Sequence, residues 1–171
     1  MSERMKIEFQ AIGTIHSPFL SLEGMPIQPA GAKGVMGHVE IYENYRGGLK
    51  DLDGFSHIIL LYYFHRSRDY KLQVTPFLDD TPRGVFATRA PSRPNSIGIS
   101  VVQLERIDGL RLEIRNVDIL DETPLLDIKP FVPEFDAPPN CRTGWLEKAA
   151  QKAAARKSDQ RFAAPPEKDE G

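Results

Sequence analysis

The stretch at residues 85–101 (VFATRAPSRPNSIGISV) contains a loop whose side chains are able to bind an anion. It contains Arg89, Arg93 and Asn95 together with two prolines, between two apolar stretches. Each proline fixes its own φ and restricts the residue before it, so the loop is stiff. A stiff loop holds guanidinium groups in fixed directions, in which they bind a carboxylate or phosphate through paired hydrogen bonds. The alternative is a charged surface loop without a ligand.

His65 and Arg66 follow an almost continuously apolar stretch at residues 55–64, which predicts a strand buried on both faces. Strand ends are where a rigid scaffold presents catalytic groups. The alternative is a polar pair that leaves the core for solvent. The remaining histidines are interpreted as surface or packing residues: His16, His38 and His57.

Acidic residues alternate with leucine and isoleucine in residues 118–129. In a strand at 125–129, Asp127 and Lys129 share one face, and Leu126 and Ile128 share the other. One interpretation is the polar wall of a pocket. The other is an ion pair whose members simply neutralise each other.

The elements that position these groups are predominantly strands. Period-two alternation or apolar runs predict them at residues 7–15, 35–41, 55–64, 72–75, 84–88, 97–107 and 110–120. A change of apolar phase in the last of these predicts a bulge near Arg115 and Asn116. The pattern favours an all-β fold, a small β-barrel of about seven strands with peripheral loops and a C-terminal helix.

The predicted organisation is a β-barrel domain at 7–138, a helical extension at 139–157 and a disordered tail at 158–171. The alanine-rich segment 145–157 has helical spacing, whereas the tail has proline, charge and little to bury. A short helical turn is expected at 45–52. The proline-containing loop at 17–33 is long enough to suggest a function.

Composition excludes several classes. The chain has 171 residues, a length suited to one domain, and a net charge of -2, so bulk charge does not attract nucleic acid. Cys141 is the single cysteine, which rules out an internal disulfide and a cysteine-rich zinc site. The sequence shows no membrane-spanning run and predicts a cytoplasmic protein. Glycine-rich nucleotide loops, serine hydrolase motifs and a tight metal-ligand cluster are missing, so no metal is expected.

Five blocks in order resemble the TsaA-like, or TrmO, family: IGTIHSP, IQPAG, DGFSHIILLYYFHR, GVFATRAPSRPNSIGIS and DETPLLDIKPFVPEFD. The resemblance covers about residues 7 to 136. It implies a small β-barrel that binds S-adenosyl-L-methionine without a Rossmann fold and acts as a homodimer. The reaction implied is methylation of N6 of N6-threonylcarbamoyladenosine beside the tRNA anticodon, which makes the tRNA anticodon loop the expected partner.

Motif by motif, the resemblance implies a set of donor-binding residues: Ile27, Gln28, Pro29, His65, Arg66, Arg89, Ile99, Thr123, Leu126, Asp127, Ile128 and Lys129. The donor carries a sulfonium leaving group, so the enzyme mainly aligns the reactants and excludes water. The ureido-like acceptor nitrogen is a poor nucleophile, and a base helps by removing its proton. The expected catalytic residues are Asp127, His65, Asn95 and Lys129. Arg93 suits the substrate carboxylate, and Asn95 suits a base edge.

Three positions depart from the family pattern. Glu122 stands where glycine is expected, which predicts a reshaped turn or a weakened donor site, because glutamate resists a positive φ. Ser96 replaces a frequent proline, and Phe131 replaces a frequent tyrosine. Two alternatives therefore stay open: a methyltransferase for a small molecule or another nucleotide, and a non-catalytic protein that binds S-adenosyl-L-methionine.

Overall fold

A computed structural model describes residues 5–27, 29–67, 69–147 and 157–159. The strands run in chain order as β1 (Gly13–His16), β2 (Met36–Ile41), β3 (His57–Tyr63), β4 (Gln73–Val74), β5 (Arg83–Gly84), β6 (Ile97–Asp108), β7 (Arg111–Arg115) and β8 (Thr123–Pro130). The helix α1 spans Pro133–Asp136. Short 3₁₀ turns occupy Pro29–Ala32, Glu43–Leu49, Leu52–Gly54, Val85–Ala87 and Gly144–Glu147.

Six of the strands close into an antiparallel barrel in the order β1-β2-β7-β6-β3-β8, and β8 returns to pair with β1. The all-β barrel prediction is confirmed, with six strands in the barrel and β4 and β5 in a separate two-stranded sheet. Alternating side chains point inward from every barrel strand, because successive residues of a strand face opposite sides. The inward set forms one core that includes Ile15, Val39, Ile58, Leu60, Val102, Leu112, Ile114 and Leu125.

Several predicted strands are shorter in the structure. Residues 5–12 lie outside β1, and Ile7 and Phe9 are exposed, since no strand pairs with them in the described part of the chain. Residues 85–87 form a 3₁₀ turn rather than a strand. The predicted helical turn at 45–52 is found as the two 3₁₀ turns at Glu43–Leu49 and Leu52–Gly54.

The bulge predicted near Arg115 and Asn116 is wrong. Strand β7 ends at Arg115, and Asn116 takes a φ of 66°, so the change of apolar phase marks a strand end. The irregularity of this strand pair lies on β6, between Leu104 and Arg106. A second register shift occurs where β3 pairs with β8, between Leu61 and Tyr62.

Among the described residues, no helix is long and apolar enough to cross a membrane.

Candidate functional site

A cavity of about 950 Å³ opens beside one end of the barrel. The loop before β2, the end of β3, the loop before β6 and the loop before β8 all contribute to its walls. Much of the lining is apolar, including Met25, Ile27, Phe64, Phe77, Phe86 and Ile99. This volume is at the upper end of the range for small-molecule pockets, and apolar and aromatic walls suit a nucleobase.

Asp118 and Tyr62 line this cavity, and the buried Ser100 links them through hydrogen bonds into one recessed polar group. Ser100 Oγ donates to Asp118 Oδ1 at 2.6 Å and lies 3.0 Å from the Tyr62 hydroxyl. Because the single Ser100 proton is used by Asp118, the Tyr62 hydroxyl is the donor in the second bond. Gly98 gives the ring its space, since a Cβ there would lie 2.3 Å from Tyr62 Cε2.

Burial raises the pKa of Asp118 to about 6, against the hydrogen bond from Ser100 and the positive charge of Arg89. Asp118 and Arg89 both line the cavity. The largely apolar cavity therefore offers a recessed carboxyl group, Asp118, together with the guanidinium group of Arg89. Both could bind a ligand that carries charges of both signs.

The sequence prediction missed Asp118, Ser100 and Tyr62. Asp118 was noted only as one of several alternating acids. Its immediate neighbours, Val117 and Ile119, are apolar, and both are buried. A lone acid inside an apolar stretch is a signal for a recessed carboxyl group that has a hydrogen-bond partner, because acidic residues are seldom buried without one.

His65 lies half-buried in the cavity wall, and its pKa is lowered by burial and by the neighbouring charge of Arg66. Its Nδ1 is 3.4 Å from Thr123 Oγ1, and Thr123 Oγ1 donates to the Leu120 carbonyl at 2.7 Å. The Thr123 hydroxyl has a single proton, so His65 Nδ1 supplies the hydrogen in their contact. The neutral imidazole then keeps its lone pair on Nε2, in position to accept a proton.

Arg93 stiffens the loop before β6. Its Nη1 donates to the carbonyl oxygens of Thr88 and Ala90, at 3.1 and 3.2 Å. Ser96 donates from Oγ to the Arg93 carbonyl at 3.4 Å. Arg93 and Asn95 both line the cavity. The loop is therefore held by hydrogen bonds in addition to its prolines.

The structure brings most of the predicted donor and substrate residues together. The cavity lining includes Ile27, His65, Arg66, Arg89, Arg93, Asn95, Ile99 and Thr123. Pro29 begins the 3₁₀ turn that ends at Ala32, and Gln28 lies outside the described residues.

Four predicted site residues of β8 do not line this cavity: Leu126, Asp127, Ile128 and Lys129. Ile128 packs against the barrel core, and Leu126 lies at the register shift between β8 and β3. Lys129 Nζ is 2.8 Å from Asp127 Oδ2, and both side chains are about half exposed. In the single chain, Asp127 and Lys129 therefore form the ion pair that one interpretation of the sequence expected. The catalytic role of these two residues stays a prediction.

The C-terminal segment also contributes to the cavity. Trp145 Nε1 donates to the Ala87 carbonyl at 2.8 Å, and the Arg83 guanidinium lies 5.5 Å from the Trp145 ring. Trp145 lies in the 3₁₀ turn Gly144–Glu147, so the predicted helix 145–157 begins with a 3₁₀ turn, whereas its last residue, Lys157, forms an isolated bridge with Pro26. Its residues 148–156 lie outside the described residues.

The predicted disordered tail begins with ordered residues. Ser158 donates its backbone N–H to the Met25 carbonyl at 2.7 Å, and Gly24 N–H donates to the Ser158 carbonyl at 2.9 Å. Ser158 and Asp159 line the cavity. Backbone pairing, which composition does not reveal, holds Ser158, and the disorder of the tail stays a prediction. Residues 160–171 lie outside the described residues.

Glu122 adopts a left-handed backbone conformation, with a φ of 60°. Thr123, the next residue, is buried and lines the cavity. The chain bears the strain of a left-handed glutamate, which costs about 1 to 2 kcal/mol. The reshaped turn or weakened donor site expected from Glu122 stays a prediction.

Fold and cavity together define a class: a closed six-stranded antiparallel barrel with a small-molecule cavity at one end, and with no Rossmann sheet among the described residues. Residues 14–137 match the family described as the tRNA-methyltransferase O N-terminal domain. The chain belongs to this family, which confirms the resemblance seen in the sequence blocks.

Named relatives agree with this placement. A probable S-adenosyl-L-methionine-binding protein of Pyrococcus abyssi is 53% identical over 92% of this chain and 86% of its own length. The mouse tRNA (adenine(37)-N6)-methyltransferase is 36% identical over 77% of this chain and 32% of its own. The crystal structure of TrmO from Pseudomonas aeruginosa superposes with a TM-score of 0.70 at 38% identity. That match covers 82% of this chain and 63% of the TrmO chain.

Proposed function

We propose that this protein transfers a methyl group from S-adenosyl-L-methionine to N6 of N6-threonylcarbamoyladenosine beside the tRNA anticodon. The observation that carries the proposal is the presence of both Asp118 and Arg89 in the wall of one largely apolar cavity of about 950 Å³. The amino acid end of this donor has a carboxylate and an ammonium group, and its sulfonium adds a second positive charge. The other end is an adenine, which apolar and aromatic walls accommodate.

The opposite charges of Arg89 and Asp118 orient the donor within the cavity. Arg89 suits the donor carboxylate, and the recessed Asp118 carboxylate suits a cationic group. S-adenosyl-L-methionine supplies the methyl group from its sulfonium sulfur. Ser100 and Tyr62 hold Asp118 in place through their hydrogen bonds, so little side-chain freedom remains to be lost when the donor binds.

His65 is the proposed proton acceptor. Its Nδ1 contacts Thr123, and its lowered pKa keeps the imidazole neutral at pH 7. The acceptor nitrogen forms its bond to the methyl carbon as the carbon–sulfur bond breaks, and His65 Nε2 takes the proton of that nitrogen. The products are the methylated nucleoside, neutral S-adenosylhomocysteine and a protonated His65 that returns its proton to solvent.

The acceptor side is proposed to use Arg93 and Asn95. Both line the cavity, on the loop that also carries Arg89. The Arg93 hydrogen bonds come from Nη1 and fix the loop. Its guanidinium is then a fixed positive charge toward the threonyl carboxylate, while Asn95 pairs with a base edge.

We also propose a homodimer formed through the outer face of β3, β6 and β8. Tyr63 pairs with Ile97 and Leu61 with Ile99 in the strand register, and Tyr63, Ile97 and Ile99 are all more than a third exposed. Asp127 continues this face, opposite Leu61. Ile99 also lines the cavity, so a second copy on this face would bring Asp127 and Lys129 near a cavity.

The function is tested by incubating the purified protein and isotopically labelled donor with tRNA that does or does not carry threonylcarbamoyladenosine. We expect label in the nucleoside fraction of the modified tRNA only, identified by mass spectrometry. His65→Gln should abolish most of the transfer. The matched control is His57→Gln, because His57 lies at the start of β3, outside the cavity, with its Nδ1 next to Ser56 Oγ.

Other outcomes would select other functions. Donor binding measured by calorimetry without transfer to either tRNA would favour the non-catalytic binding protein or a small-molecule methyltransferase. The sequence basis for a weakened donor site is Glu122, which has a left-handed backbone conformation. No donor binding at all would reject the cavity as the donor site.

A further inference from the structure

Two histidines that are distant in the sequence meet on the outer wall of the barrel. His16 of β1 is paired directly with His38 of β2, and their rings stack with centroids 4.8 Å apart. Glu40 lies two residues after His38, so its side chain is on the same face of β2. The strand register therefore builds a cluster of His16, His38 and Glu40, none of which lines the cavity.

The potential ligand atoms converge. His38 Nε2 lies 3.5 Å from Glu40 Oε1, and His16 Nε2 lies 3.9 Å from Glu40 Oε2. One ligand atom from each of the three residues can be chosen so that all lie within 4.8 Å of one another. Ligand atoms around a tetrahedral zinc ion are roughly 3.3 Å apart, since Zn–N bonds are about 2.0 Å long. Rotation of the exposed Glu40 side chain brings its carboxylate to this spacing from each histidine, and rotation of the histidine side chains sets the spacing of the two imidazole nitrogens.

A second carboxylate orients His16. Asp121 Oδ1 lies 3.2 Å from His16 Nδ1 and also accepts the backbone N–H of Ser17 at 3.1 Å. A carboxylate on one imidazole nitrogen fixes the tautomer and leaves the other nitrogen for a metal. A metal-bound histidine usually donates the N–H of its other ring nitrogen to a carboxylate in this way. An ion pair without a metal does not need this arrangement.

The positive charge of the neighbouring Arg111 disfavours a cation at this cluster. Its Nη1 lies 3.8 Å from Glu40 Oε1, whereas its Nε donates to Glu113 at 2.6 Å. The shorter contact shows that Glu113 is the main partner of Arg111, which leaves Glu40 only weakly engaged.

We propose that His16, His38 and Glu40 bind one divalent transition-metal ion of the zinc type, with solvent in the remaining position. Two imidazoles and one carboxylate match the nitrogen and oxygen ligands that zinc accepts, and calcium or magnesium would prefer more oxygen ligands. The sequence did not reveal the cluster, because His16 and His38 are 22 positions apart and only the register of β1 and β2 joins them.

The site lies where two cavity-forming loops leave the barrel. Ser17 Oγ donates to the Ile119 carbonyl at 2.6 Å, and Asp121 N–H donates to the Phe19 carbonyl at 2.8 Å. The loop after β1 and the loop before β8 are thus tied together next to His16. A metal ion bound at His16 would strengthen this junction between the two loops. We therefore expect metal binding to raise the stability of the folded protein.

The test is zinc titration by calorimetry on the full chain, freed of any histidine tag and stripped with a chelator. We expect one saturable equivalent per chain and a rise in the thermal midpoint on adding zinc. His38→Gln and Glu40→Gln should each weaken binding at least about tenfold. Cobalt in place of zinc should give visible absorption bands that His38→Gln removes.

Matched variants separate this site from other ligands. His57→Gln and Cys141→Ser should leave the zinc affinity unchanged, because His57 is on β3 and Cys141 is an exposed free cysteine after α1. Circular dichroism without metal checks that each variant folds, and the exposed Glu40 makes Glu40→Gln the safer change. Absent binding, or binding unaffected by both cluster variants, would overturn the proposal.

Discussion

Asp118 and Asp127 belong to neighbouring parts of the same segment, yet the fold gives them opposite surroundings. Asp118 lines the cavity, accepts a hydrogen bond from Ser100, and has a pKa raised to about 6 by burial. Asp127 is about half exposed on β8 and lies 2.8 Å from Lys129. The first is a recessed carboxyl group, and the second is a surface ion pair.

The difference shows that residue type alone does not assign a chemical role. A carboxyl group removed from water responds strongly to a bound charge, because the surrounding medium screens little. An exposed pair already has its partner and is worth less than about 1 kcal/mol. The cavity wall is therefore where the larger effects of mutation are expected, and the outer face of β8 is where the smaller ones are.

The largest effect is expected for His65→Gln in the cavity wall. Glutamine keeps a polar side chain but cannot accept the proton, so turnover should fall about a hundredfold or more. Donor affinity should change little, since the role is in transfer. Single-turnover methylation and donor calorimetry measure the two quantities separately. Turnover near that of the wild-type protein would remove His65 from the mechanism.

Asp118→Asn should weaken donor binding at least about tenfold, because it removes a recessed negative charge that pairs with a cationic ligand. Donor binding by the wild-type protein should strengthen as the pH rises through about 6, where Asp118 ionises. The variant should lack this rise. If the rise persists in Asp118→Asn and disappears in His65→Gln, the titrating group is the histidine.

The same substitution separates binding from stability. Because the folded pKa of Asp118 lies above the usual 3.8, its contribution to stability is full below that pH and is lost as the pH rises through about 6. At pH 7 the ionised carboxyl group in its recess therefore costs stability. Asp118→Asn should unfold no more easily than the wild-type protein at pH 7 in urea, although it binds donor less well.

Asp127→Asn on the outer face should change turnover by less than about fivefold, as expected for an exposed ion pair. Size-exclusion chromatography with light scattering should be run on the same sample, because Asp127 lies on the proposed dimer face. A loss as large as that of Asp118→Asn would mean that Asp127 acts in a cavity, as its motif predicts. The two acids would then be equivalent, and the contrast between them would fail.

The smallest effect on activity is expected at Glu122, in the turn that joins the two regions. Glu122→Gly should raise the free energy of unfolding by about 1 kcal/mol, because glycine adopts the left-handed conformation without strain. Glu122→Ala is the control, since it removes the carboxylate but retains a Cβ. Equal stability in the two variants, measured by urea unfolding, would show that the turn is not strained.

Local patterns were sufficient for the strands that have buried partners. The apolar run at 55–64 contains β3, and the alternation at 97–107 contains nearly all of β6. Local patterns failed for chain segments that lie outside the barrel strands. Residues 7–12 alternate like a strand but lie outside β1, and the ordered Ser158 lies in a segment with a disordered composition. Both outcomes depend on whether a distant backbone supplies hydrogen bonds.

The candidate site likewise contains residues that local patterns predicted and residues that they did not. The motif around Arg89 and the position of His65 pointed to residues that do line the cavity. The network of Asp118, Ser100 and Tyr62 could not be read from spacing, because β3, β6 and the loop before β8 meet only after the barrel closes.

By itself, the sequence determined the all-β class, the family and the loop that carries Arg89, since these follow from alternation, proline stiffness and ordered motifs. Only the tertiary structure decided which acid is recessed, which acid is paired at the surface, and that His16 meets His38. The physical reason is that burial and strand register are properties of chain segments brought together by folding. The pKa of Asp118 and the cluster around Glu40 depend on neighbours that no local stretch contains.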